Sequence, residues 1–117
     1  MTAVLYLVIL RMYKFASDFL GFKRNKGIDF LAKFNGKYAA GEAKFLTDFG
    51  GHQNAQFDDA LSTIHSFNAS EFDVIPVAII DGVIYINNHS KMHGYLLHHP
   101  EDKIMSALVL REFLYSL

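Results

Sequence analysis

Three ionisable residues, Asp29, Glu42 and Lys44, stand at a spacing that could hold a divalent cation. Glu42 and Lys44 are two residues apart, so on an extended strand they project from one face. Between Asp29 and Glu42 lies Asn35-Gly36, the strongest short-range signal for a two-residue type I′ hairpin. With that turn Phe34 pairs with Lys37, and Asp29 falls directly opposite Glu42. Opposed carboxylates have Cβ atoms about 4.5–5.5 Å apart and repel. Positive charge must therefore sit between them. Lys44 offsets part of the repulsion, and a divalent cation with hard oxygen ligands can offset the rest.

The element that positions these groups is a hairpin over residues 27–46. Alternation places Ile28, Phe30, Ala32, Phe34, Ala39, Ala43 and Phe45 on one apolar face. The charged face also carries Leu31, Ala40 and Leu46. Charges on a hairpin are usually solvated, but a hairpin apolar on both faces is covered on both. Its few charges are then partly desolvated and need a reason.

Asp29, followed after twelve residues by Glu42-Ala43-Lys44, resembles the PD-(D/E)xK motif of nucleases. The segment GEAKFLTDFGGHQNAQFDDAL resembles the catalytic part of type II restriction endonucleases. The likeness covers residues 26–68 and continues more loosely in residues 74–82 and the last helix. Ile28 stands where the motif usually has proline, a position that carries no chemistry. The resemblance implies an α/β fold with a restriction-endonuclease-like α/β/α core, a mixed sheet flanked by helices. It implies metal-dependent hydrolysis of double-stranded DNA, leaving 5′-phosphate and 3′-hydroxyl ends. Mg²⁺, with Mn²⁺ as substitute, would be held by Asp29, Glu42 and the Ala43 carbonyl. Lys44 would orient the attacking water or stabilise charge on phosphorus.

Composition bounds this reading. The chain has 117 residues, enough for one nuclease-like domain over residues 1–117. Its 51% hydrophobic and 15% aromatic content argues for a packed globule and against disorder. The absence of cysteine excludes disulfides and thiolate zinc sites, and fits a cytoplasmic location. A net charge of −1 is not the basic balance of a free-standing nucleic-acid binder. DNA binding must rely on local charge, and six of the 11 Lys and Arg residues fall between positions 23 and 44. Lys23, Arg24, Lys26 and Lys33 are the candidate phosphate contacts. A solvated loop explains Lys23, Arg24 and Lys26 equally well. Restriction enzymes of this kind are usually much longer, so residues 1–117 also fit the catalytic part of a longer enzyme. Two further alternatives are a non-catalytic remnant or assembly partner and a small structure-selective, resolvase-like nuclease. The apolar run over residues 3–10 lacks the flanks of a targeting signal and is too short to span a bilayer. No membrane association is expected.

In chain order, residues 2–20 read as a helix with Leu5, Val8, Ile9, Met12, Ala16 and Phe19 on one stripe and Gly21 as its stop. A strand over residues 4–10 is the competing reading. Residues 52–68 form a second helix with a stripe of Phe57, Ala60, Leu61, Ile64 and Phe67. Upstream, that stripe reaches Gln53 and Gln56, amides that could contact phosphate or orient a water, or tie the turn to the sheet. Asp58 and Asp59 fall on the outer face. Residues 72–80 read as a strand, with Asp81-Gly82 turning into another over 83–86; Pro76 suggests an edge or a strand end. Residues 87–99 read as an irregular loop whose Asn88, His89 and Lys91 offer donors to DNA. His89 and His93 also have zinc-compatible spacing, and a plain surface loop fits as well. Pro100 opens a final helix that is apolar nearly all round from Ile104 to Leu114. Such a helix is either buried or shared with another subunit, and a homodimer is expected.

Overall fold

The computed structural model describes residues 2–86 and 90–117, with side chains from residue 11 onward. Four strands form one mixed sheet in the order β1-β2-β3-β4. β1 (Phe30–Phe34) runs antiparallel to β2 (Lys37–Leu46). β3 (Val74–Gly82) and β4 (Lys103–Met105) each lie parallel to their inner neighbour. α1 (Thr2–Phe19), α2 (Gly51–Ile64) and α3 (Lys91–His98) cover one face, where Leu46, Ala78 and Ile80 pack against Phe57, Ala60, Ile64 and Met92. α4 (Ala107–Tyr115) covers the other, with Leu110, Phe113 and Leu114 against Ala39, Val77 and Ile79. The α/β/α architecture expected for the chain is the one it has.

The hairpin forms in the register its turn demands. Asn35 and Gly36 both have positive φ, 53° and 77°, as a type I′ turn requires. Phe34 pairs with Lys37, and the ladder runs back to Phe30 opposite Gly41. There it stops. The Asp29 N–H donates to the Gly41 carbonyl at 2.9 Å, so Asp29 shares Gly41 with Phe30, the regular alternation ends, and Asp29 does not pair with Glu42 as the turn alone had placed it. Ile28 consequently packs with Leu31 and Ala40 rather than on the face of Phe30, where strict alternation had placed it.

α1 stops at Gly21, whose φ of 76° lets the Phe22 N–H return to the Ala16 carbonyl at 3.1 Å. Ala16 and Leu20 are buried, whereas Phe19 turns partly outward and meets the Phe15 ring at a tilt and the Phe72 ring edge-to-face. α2 buries the expected Phe57, Ala60, Leu61 and Ile64. It ends before Phe67, which instead bridges to Phe22 with ring centroids 4.9 Å apart.

The last third departs most from the sequence reading. After β3 the chain makes a single 3₁₀ turn, Val83–Tyr85, not a returning strand. Residues 91–98, read as irregular loop, are helix α3, capped by Ser90, whose hydroxyl accepts the His93 N–H at 3.1 Å. Ile104 and Met105 belong to β4, not to the final helix, because the open edge of β3 at Val77–Ile79 offers them a backbone ladder. The helix begins only at Ala107, where Ser106 caps it and Asp81 accepts both the Ser106 hydroxyl and the Ala107 N–H. Pro76 lies before the stretch that β4 covers, so it has a sheet neighbour on one side only.

Candidate active site

Glu42 sits in the middle of β2 on the face that α2 covers, and is only 2% exposed. A buried carboxylate must be compensated, and here both oxygens are. Oε1 pairs with the Lys26 ammonium, and Oε2 accepts from the Thr63 hydroxyl at 3.1 Å. The Thr63 proton could also reach the Asp59 carbonyl, 3.1 Å away, but the charged carboxylate is the stronger acceptor.

Asp59, one helical turn before Thr63 on α2, is the second hub. Its Oδ2 receives Lys26 at 2.7 Å and Lys44 at 3.3 Å, and its Oδ1 receives Arg24 Nη1 at 3.1 Å. The same guanidinium nitrogen donates to Thr63 Oγ1 at 2.9 Å. The hydrogen bond from Lys26 is the main reason the Asp59 carboxyl is held well below the usual carboxylate range; Arg24 and Lys44 add to it and partial burial opposes it. Burial works against the charged form of Lys26, but its bonds to Asp59 and Glu42 outweigh that and hold its pKa above the ordinary lysine value.

Asp29 is exposed. Its Oδ2 accepts the Ala43 N–H at 3.2 Å, so the carboxylate lies against the backbone between Glu42 and Lys44. In an extended strand a residue's N–H and C=O point to the same side. The Ala43 carbonyl therefore faces the space beyond the end of β1, where Asp29 stands. Among the described residues no three His, Cys, Asp or Glu side chains are grouped for a metal. A hard cation here would rest on two carboxylates and one carbonyl. Mg²⁺ suits that donor set, since it binds protein through one or two carboxylates and keeps waters and substrate phosphate as further ligands. The residues present fit the group.

The fold thus brings together Glu42 and Lys44 with Arg24 and Lys26 around Asp59, and sets Asp29 against the Ala43 N–H. The other candidates lie elsewhere. Gln53 is buried, but its Oε1 accepts the Thr47 N–H at 2.9 Å and fastens the turn after β2. Gln56 bonds the His52 ring at 3.1 Å. Lys23 is exposed, and Lys33 lies over the Tyr38 ring, 5.5 Å from its centroid, nearer the hairpin turn. Lys91 is exposed in the first turn of α3, while Asn88 and His89 lie outside the described residues. His93 Nδ1 bonds the Ile84 carbonyl at 3.0 Å. Asp18, an exposed acid late in α1, pairs with Lys14. Asp59 and Thr63 are the site residues that sequence reading missed. Asp59 is not on a solvated outer face, unlike the exposed Asp58. The available signal was Thr63, a polar residue bordering the buried stripe four positions after Asp59.

A mixed sheet whose antiparallel hairpin carries aspartate and E-x-K at its inner end, followed by a parallel crossover through α2, defines a restriction-endonuclease-like PD-(D/E)xK nuclease. The chain belongs to the Tsp45I type II restriction enzyme family, whose family model matches residues 2–117. No curated protein and no solved structure matches it.

Proposed function

We propose that this chain is a Mg²⁺-dependent endodeoxyribonuclease that cleaves double-stranded DNA within a restriction-modification system. The observation that carries the reading is Glu42. This carboxylate is 2% exposed in mid-strand, next in sequence to Ala43, whose N–H binds Asp29, and in the same ion-pair cluster as Lys44. A protein gains little stability from burying such a group against a lysine compared with an apolar pair, so chemistry is the better reason for it.

Asp29, Glu42 and the Ala43 carbonyl would hold the divalent cation. When bound, it supplies Lewis-acid activation of the phosphodiester and of the attacking water. Arg24 and Lys26 draw the DNA backbone toward the end of β2. The Lys44 ammonium donates to the attacking water or to the phosphoryl oxygens on which charge builds up. The water oxygen would bond to phosphorus, giving up one proton to solvent, as the bond to the 3′ oxygen breaks and that oxygen takes one proton from solvent, leaving 5′-phosphate and 3′-hydroxyl ends. Two copies of the chain would present one such site to each strand.

Plasmid and linear duplex cleavage tests this. Cleavage should require Mg²⁺ or Mn²⁺ and fall at least about a hundredfold in Glu42→Ala and in Lys44→Ala. Ca²⁺ should support DNA binding without turnover. Cleavage that persists in EDTA would overturn the metal mechanism, and full activity in Glu42→Ala would overturn the site.

A further inference from the structure

Lys26 stands where a cation is wanted. Its ammonium touches the buried Glu42 Oε1 on one side and Asp59 Oδ2, at 2.7 Å, on the other. It belongs to the irregular segment between α1 and β1, so its side chain can shift without disturbing a helix or a ladder. Asp59 already provides a second anchor, shared with Arg24 and Lys44.

We propose that Lys26 is the resident counter-cation of Glu42 and is displaced by the divalent cation, withdrawing onto Asp59, from where it faces incoming phosphate. This rests on the reading of Glu42 as a metal ligand. The physical basis is that a buried carboxylate cannot be left bare. In the metal-free protein Lys26 compensates it. A lysine is suited to leaving, being a point charge on a flexible four-carbon stem, whereas an arginine would be held by fixed bidentate geometry. Exchange also changes the local field. One charge on Glu42 is replaced by two, and the ammonium released from Glu42 stays with Arg24 and Lys44 around Asp59. Three cations then outnumber one carboxylate where the DNA backbone must approach. Metal and DNA binding are thereby coupled through a single side chain.

A resident competitor lowers apparent affinity by the fraction of time the site is free. If Lys26 occupies Glu42 about nine-tenths of the time, removing it should tighten divalent-ion binding about tenfold. The experiment is a Mn²⁺ titration of DNA-free protein followed by electron paramagnetic resonance, on the wild type, Lys26→Met, Lys26→Gln, Lys26→Arg and Glu42→Gln. Lys26→Met and Lys26→Gln should each bind Mn²⁺ about tenfold more tightly than wild type. Lys26→Arg, which keeps the charge, should not. The two neutral variants differ in polarity, so either one, if folded by circular dichroism, decides the matter. Unchanged or weaker Mn²⁺ binding in the neutral variants, with binding still lost in Glu42→Gln, would overturn the exchange and leave the metal site standing. Undiminished Mn²⁺ binding in Glu42→Gln, or none in any variant, would overturn the Glu42 assignment itself.

Discussion

Asp59 is a single carboxylate facing Arg24, Lys26 and Lys44, so it fixes where two lysines near the end of β2 rest. Its folded pKa lies below its unfolded value of 3.8. Its contribution to stability is therefore complete above that value and is lost as pH falls through the lower folded one. Lys26 behaves oppositely. Its raised pKa contributes fully below the unfolded value of 10.5 and fades as pH rises through the folded one. Asp59→Asn should destabilise the protein by about 1–3 kcal/mol at pH 7 in urea titrations. The gap from wild type should begin to close only as the pH drops below 3.8. A gap that is constant down to the acid limit would show that the lost stability is steric and not ionic.

At the scale of elements, the hairpin and its contact with β3 make the site, and two glycines test different parts of it. Gly36 has φ of 77°, yet a Cβ there would meet nothing within 4 Å. Gly36→Ala should cost only the left-handed backbone penalty, about 1–2 kcal/mol. Gly41 is the last residue of the β1 ladder and the neighbour of Glu42, and a Cβ there would stand 1.7 Å from the Val77 carbonyl oxygen. Because the obstacle is backbone, Gly41→Ala should cost about 3 kcal/mol or more. Urea midpoints followed by far-ultraviolet circular dichroism compare the two. Equal midpoints would mean that β2 and β3 separate easily at Gly41, contrary to a rigid platform under Glu42.

Over the whole molecule, the sheet face covered by α4 is incompletely closed. Leu108 is 89% exposed and Val109 half exposed at the start of that helix, and Phe45 is 67% exposed on β2. Between them runs a groove of about 330 Å³, lined by Ala43, Lys44, Phe45, Ile79, Asp81 and Ala107. α4 is therefore not the deeply buried helix that one reading of its sequence allowed, since none of its residues is fully buried. We propose that a second copy of the chain covers it. A C₂ pair is the commonest such arrangement. Light scattering on diluted samples should give a stable dimer mass, and Leu108→Glu should shift it to monomer. A clean wild-type monomer at micromolar concentration would remove the dimer proposal.

The sequence alone determined what depends on neighbours along the chain. Asn35-Gly36 prefers positive φ wherever it stands, so the turn, the pairing of residues 30–34 with 37–41 and the shared face of Glu42 and Lys44 followed from local chemistry, whereas the expected pairing of Asp29 with Glu42 did not form. The stripe of Phe57, Ala60, Leu61 and Ile64 follows from helical periodicity in the same way. Only the tertiary structure decided what depends on partners distant in sequence. Ile104 and Met105 are as apolar as a helix requires, and became a strand because β3 had an unpaired edge within reach. Residues 91–98 became a helix because Ser90 caps them and Met92 finds the core beside Ile84. Asp59 borders the buried stripe closely enough for its side chain to turn either way, and Arg24, Lys26 and Lys44, converging from two other segments, drew it inward. Periodicity names the side of a helix or strand, but the charge waiting on that side is set by packing.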